Sequence, residues 1–120
     1  MMRVSLMVVI ALSSPALAEA PPRQDEPRTS LFVACDNLLR CVRAPCPSTD
    51  IVLLPSGERL PRTGPRLDRL SAEDRRWLAE VDALYYGTVV LEGTIEDGAV
   101  SATRIVRNVT DDEAAMCRKR

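Results

Sequence analysis

The run Gly87-Thr88-Val89-Val90-Leu91-Glu92-Gly93-Thr94-Ile95-Glu96-Asp97-Gly98-Ala99-Val100-Ser101-Ala102-Thr103-Arg104-Ile105-Val106-Arg107 decides the fold. Two β-prone segments flank Asp97-Gly98. A two-residue Asp-Gly connection favours a type I′ turn, because both positions need positive φ. The run therefore reads as a hairpin over residues 86–108. Counting back from the turn opposes Ile95 to Val100, Gly93 to Ala102 and Val89 to Val106, with Leu91 on the same face. Glu92 with Thr103 and Thr94 with Ser101 take the other face. Val90 and Ile105 also fall there, an apolar pair on a side that is otherwise polar. Either that side is partly covered, or a bulge near Arg104 shifts the register. Gly93 opposite Ala102 leaves room for a close neighbour such as a helix.

Upstream of the hairpin lies a helix pattern over residues 71–84. Ser71 is a good N-cap, and Asp74 stands where a capping-box acid would reach back, although Asp is shorter than the preferred Glu. Glu73 and Asp74 also suit the positive end of the helix dipole. Trp77, Leu78, Val81 and Leu84 recur at i, i+1, i+4 and i+7, one apolar stripe. All nine Pro lie at or before Pro65, so the first half is loop-rich. Within it, residues 31–35 and 50–54 read as strands, and 38–42 as a third interrupted by cysteines. Residues 50–54 end at the turn signal Pro55-Ser56-Gly57 and pair back onto Glu58-Arg59-Leu60. Residues 61–65 form a loop.

These elements give an α+β fold: a small antiparallel sheet, one packed helix and a C-terminal hairpin, stapled by disulfides. The same order of elements also fits a five-stranded barrel of the oligonucleotide-binding kind. The expected core is Trp77, Leu78, Val81, Leu84, Val89, Leu91, Ile95, Val100 and Val106.

Residues 1–18 have the form of a secretory signal. Arg3 supplies the basic end, residues 4–12 an apolar core, and Ala16-Leu17-Ala18 a small-x-small cleavage pattern. The apolar run is too short to span a bilayer. Cleavage after Ala18 leaves Glu19 first, followed by a flexible Pro-rich leader over 19–29, a single globular domain over 30–117 and a basic tail over 118–120. The 120 residues are 46% hydrophobic and 28% charged, with a net charge of −1. That is an ordinary globular composition for one domain. Fifteen of the sixteen basic residues are Arg, a bias expected of a GC-rich bacterial genome. A chain this close to neutral, with acids and bases interleaved, offers no strong field for nucleic acid or an anionic membrane. It is expected to be a monomer, periplasmic or secreted.

Cys35, Cys41, Cys46 and Cys117 form an even set in an exported chain, which favours two disulfides. Cys41–Cys46 with Cys35–Cys117 is preferred, since it closes one short loop and ties the C-terminus to the first strand. Cys35–Cys46 with Cys41–Cys117 is the alternative. A Cys₄ zinc site would more often show paired C-x2–4-C knuckles. The stretch Cys35-Asp36-Asn37-Leu38-Leu39-Arg40-Cys41-Val42-Arg43-Ala44-Pro45-Cys46-Pro47 resembles small secreted bacterial domains with an Arg-Cys-x-x-x-Pro-Cys-Pro core and a β-rich remainder. The resemblance covers thirteen of 120 residues. It implies export and a structural cysteine cluster, and no activity.

The chain has no His, which removes imidazole acid–base chemistry and His-containing triads. Asp36 and Asp50 could approach each other beside the cysteine cluster, but no nucleophile has a recognisable base. Asp111-Asp112-Glu113 lacks the spaced ligands and Gly of a calcium loop and reads as a solvated turn. Asn108-Val109-Thr110 is a formal glycosylation sequon with no expected role. No cofactor or metal is implied. The expected function is a non-catalytic binding or structural one, with another exported protein as partner. The alternative is a proteinase inhibitor that presents Arg43, beside Pro45, in a disulfide-fixed loop.

Overall fold

Phe32-Val33-Ala34-Cys35 is an unbroken apolar run, and it forms the middle of the central strand, buried on both faces. The structure, a computed structural model, describes residues 27–43 and 46–119. The signal segment 1–18, the leader as far as residue 26, Ala44, Pro45 and the last tail residue lie outside the described residues.

Among the described residues the chain forms five strands and three helices. They are β1 (Arg28–Asp36), β2 (Thr49–Leu54), β3 (Arg59–Leu60), α1 (Ala72–Glu80), α2 (Ala83–Tyr86), β4 (Val89–Glu96), β5 (Ala99–Asn108) and α3 (Asp111–Arg118). The strands make one antiparallel sheet in the order β3-β2-β1-β4-β5. The fold is α+β with an open sheet, and the closed barrel is corrected. β3 has two residues, and where a barrel would close, Arg66 alone bridges to β5. Its N–H donates to the Val100 carbonyl (2.8 Å), and its carbonyl accepts the Ala102 N–H (2.9 Å).

Period-two alternation divides the strands between two cores. Phe32, Ile51, Leu53, Leu91, Ile95 and Val100 point to the face covered by α1 and α2, where Leu70, Leu78 and Ala83 meet them. Val33, Cys35, Val52, Leu54 and Val90 point to the opposite face, where Met116 and Cys117 of α3 pack beside Val106 and Val109.

The hairpin turn forms at Asp97 (φ 51°) and Gly98 (φ 75°), as type I′ requires. Ile95 opposes Val100, Thr94 opposes Ser101 and Gly93 opposes Ala102. Beyond Gly93 the register shifts twice, at Glu92/Gly93 and Val90/Leu91. Leu91 therefore opposes Ile105, Glu92 opposes Arg104, and Val89 opposes Asn108 rather than Val106. Each inserted residue reverses the faces of those beyond it. Val106, expected beside Leu91, lies half-buried in the second core, and Ile105 packs in the first. The neighbour that needs Gly93 is a ring rather than a helix. A Cβ there would lie 2.9 Å from the Phe32 ring and collide with the Ser101 carbonyl oxygen.

The helix expected over 71–84 is broken. Ser71 caps it as expected, its Oγ accepting the Asp74 N–H at 3.0 Å. Asp82 then adopts left-handed backbone (φ 47°, ψ 42°), which ends α1 and restarts the chain as α2. The break takes Leu84 off the apolar stripe of α1, in which Leu78 alone is buried. Leu78 is buried and Leu84 half-buried, but Trp77 (40% exposed) and Val81 (41%) face solvent, a correction to the expected core. β1 starts at Arg28, inside the expected leader, because Arg28 and Thr29 pair with Ile95 and Thr94. Asp111-Asp112-Glu113 is a helix start, not a solvated turn. Thr110 Oγ1 accepts the Glu113 N–H, and Glu113 accepts the Thr110 N–H, a complete capping box.

Candidate functional site

Asp36 and Asn37 end β1 and turn the chain out of the sheet. The Leu38 N–H donates to Asp36 Oδ1 (3.2 Å), and the Leu39 N–H donates to Asn37 Oδ1 (2.9 Å). Such side-chain-to-backbone bonds offer the backbone an alternative to a ladder. Leu38 sits at φ 64°. Residues 38–42 are thus a loop and not the expected strand. Cys41–Cys46 closes this loop, with Cα atoms 5.4 Å apart, and Cys35–Cys117 ties β1 to α3, with Cα atoms 5.7 Å apart. The preferred pairing forms. The alternative pairing and the Cys₄ site do not, since all four sulfurs are in disulfides.

Both carboxylates singled out in the sequence lie at the base of this loop. Arg40 donates to both oxygens of Asp36, at 3.1 Å each. Asp50 is buried and accepts from Asn37 Nδ2 (2.9 Å), Arg59 Nη1 (3.0 Å) and the Arg62 N–H (2.9 Å). Burial alone would push the Asp50 carboxyl up. The Arg62 N–H, the Asn37 amide and the Arg59 guanidinium together hold it below its ordinary value. These bonds join the loop, β3 and the C-terminal segment, because Arg59 Nη2 also donates to the carbonyls of Met116 (3.0 Å), Cys117 (3.1 Å) and Lys119. Asp50 therefore organises structure here. Arg43 is exposed beside the fully exposed Val42, and Pro45 lies outside the described residues.

The loop stands beside a cleft of about 320 Å³ between α1–α2 and the end of the sheet. Leu67, Leu78 and Leu84 give it an apolar floor, with Ser48 and Thr49 along one side. Tyr85 forms part of the rim, 52% exposed. Arg40 lies 5.9 Å from its ring centroid and Nη2 reaches Oη at 3.5 Å, linking loop and cleft in one surface. Tyr86 packs edge-on against Tyr85, with centroids 4.9 Å apart. Leu38 and Leu39 of the loop are exposed as well. Arg75 and Asp82 complete the rim. A second cleft of about 330 Å³ near the hairpin tip has a polar lining that includes Arg66, Arg69 and Glu96.

Arg40, Arg75, Asp82 and Tyr85 were not singled out in the sequence. Asp36 and Arg40 stand at i,i+4, but that spacing marks a pair only once the chain is known to turn there. Tyr85 and Tyr86 follow the helix pattern directly, and their exposure depends on the break at Asp82. No protein-family model matches the chain, and no curated protein or solved structure matches it.

Proposed function

We infer that this chain is an exported bacterial protein, periplasmic or secreted, that binds another exported protein without catalysing a reaction. The cleft and the adjoining disulfide loop are its binding face. The observation that carries this reading is an apolar-floored cleft with Tyr85 and Arg40 stacked at its edge. Three of the four aromatic residues, Trp77, Tyr85 and Tyr86, are exposed on or near the same helices. Tyr, Trp and Arg are the residue types that dominate binding energy at protein interfaces. The cleft volume falls at the low end of the range for small-ligand sites, about 300–1,000 Å³, which suits one inserted side chain better than a cofactor. Export is supported by the signal-like segment 1–18 and the two disulfides.

The test is retention of partners from the exported fraction on immobilised protein, comparing wild type with Tyr85→Ala and with Arg104→Ala on the far part of the sheet. Loss of a retained partner with Tyr85→Ala alone supports the reading. Equal retention by all three overturns it. An exposed Arg43 in a loop closed by Cys41–Cys46 also favours proteinase inhibition as a second reading. Trypsin inhibition by wild type but not by Arg43→Ala is its test, and no inhibition at micromolar protein discards it.

A further inference from the structure

The charges on the cleft rim are not equivalent. Asp36 is matched by Arg40 through two bonds. Arg75 and Asp82 both line the cleft, and neither side chain forms a hydrogen bond or ion pair with a described residue. Asp82 is the N-cap of α2, yet its carboxylate does not cap the helix, and its backbone is left-handed, a conformation an Asp holds at some cost. Arg75 and Asp82 stand seven residues apart, with Leu78 and Ala79 between them on the cleft side. The Val81 N–H still donates to the Trp77 carbonyl (3.1 Å) and the Asp82 N–H to the Ala79 carbonyl (3.3 Å), so the chain keeps near-helical rise up to Asp82 and advances about 10 Å from Arg75. The cleft thus carries a cation at one end, a carboxylate at the other and an apolar floor between.

We propose that, within the binding role inferred above, this cleft takes an extended peptide segment of the partner. One apolar side chain fills the floor, a basic residue on one side meets Asp82, and an acidic residue on the other meets Arg75. Geometry selects a segment over a free amino acid. The amino nitrogen of an amino acid is two bonds from its carboxyl carbon, whereas an extended chain returns a side chain to the same face every second residue, about 7 Å on, so charged residues two places before and after the apolar one bracket the floor. Tyr85 and its stacked Arg40 wall the side toward the disulfide loop, and Ser48 and Thr49 supply hydroxyls on the sheet side.

The experiment is a ¹H–¹⁵N NMR titration of the mature, oxidised protein with capped pentapeptides. The probes are Lys-Ala-Leu-Ala-Glu and its reverse Glu-Ala-Leu-Ala-Lys, which carry all three side chains on one face of the extended chain, with Gln-Ala-Leu-Ala-Gln and Lys-Ala-Ser-Ala-Glu as controls. One of the two charged Leu peptides is expected to shift the amides of Leu78, Ala79 and Tyr85. It should bind about five- to ten-fold more tightly than the Gln peptide, the scale of two exposed ion pairs. Salt should erase the difference. The Arg75→Gln/Asp82→Asn double variant, which keeps at position 82 a residue that tolerates left-handed backbone, should bind the charged and Gln peptides equally. Equal binding of the Gln peptide at these amides overturns the charge pairing and leaves the cleft as a binding face. Shifts confined to other regions, or none from any peptide, overturn the proposal. The partner-retention comparison of Tyr85→Ala then decides separately whether the binding role survives.

Discussion

The two faces of the sheet are covered by different means. On one, α1 and α2 lie over Phe32, Ile51, Leu53, Leu91, Ile95 and Val100, and the contact is apolar packing by Leu70, Leu78 and Ala83. On the other, α3 contributes no fully buried residue among those described. It is held by Cys35–Cys117, by the Arg59 guanidinium on its C-terminal carbonyls, and by Arg107 on Glu113 (2.5 and 2.8 Å). A domain this small has a limited core. It covers one face by apolar packing and, on the other, adds to the packing of Met116 and Cys117 a covalent bond and charge-assisted hydrogen bonds. The apolar side also carries the cleft, so packing positions the proposed binding face.

The difference should be plainest in the cost of breaking each side. Phe32 is fully buried at the centre of the first core. Phe32→Ala is expected to cost about 3–5 kcal/mol, read from denaturant unfolding. A cost near 1 kcal/mol would mean that this face is not the principal core. Next in size is the long disulfide, which joins residues 82 apart. The double variant Cys35→Ser/Cys117→Ser should lose about 2–4 kcal/mol, near the top of that range if loop entropy governs. Cys41→Ser/Cys46→Ser, whose sulfurs are five residues apart, should lose less. Equal losses from the two double variants would show that α3 needs no staple.

A third contrast is pH. The Arg107 guanidinium, and then the Thr110 N–H, hold the Glu113 carboxyl at about 2 against an ordinary 4.5. A depressed carboxyl contributes stability that is complete above its unfolded pKa and is lost as pH falls toward its folded one. Between pH 4.5 and about 2, the protection of α3 amides, taken relative to their intrinsic exchange rate at each pH, should therefore fall ahead of that of α1 amides. Glu113→Gln should remove that acid dependence, whereas persistence of the full effect in Glu113→Gln would assign it to other carboxylates such as Asp50.

What was legible in the sequence follows the same division. The hairpin turn, the near-turn register and the Ser71 cap rest on local chemistry and the presence of two disulfides on parity, and each forms. The misses are long-range or additive. The sequence points to a bulge near Arg104 where the structure has two register shifts, because nothing local fixes how many residues a strand inserts. α3 was missed although Thr110-x-x-Glu113 is a capping-box signal, because its apolar content is thin and its docking is covalent. The cleft was not legible, since it joins residues 36, 48–49, 67 and 75–85, and the break at Asp82 aims them. A left-handed Asp has no sequence signature comparable to Gly.

The helix before that break supplies the smallest expected effect and the finest test of the comparison. Trp77 and Leu78 are adjacent on one helix, one outside both cores and the other inside the first. Leu78→Ala removes a side chain packed against the sheet and should cost about 2–5 kcal/mol. Trp77→Ala removes a larger side chain but should cost about 1 kcal/mol at most, in the range of surface substitutions. The order is the reverse of what residue size or the sequence stripe gives. It follows from the orientation of α1, which packs through Leu78 and leaves the adjacent indole, about 100° around the helix, in solvent. Equal losses at the two positions would mean that the stripe packs as one face after all. The cleft rim formed by Arg75, Asp82 and Tyr85 would then have a different shape. A small loss at Trp77 with the partner still retained would confine the binding face to that rim, while a small loss with the partner released would extend it along α1 to the indole.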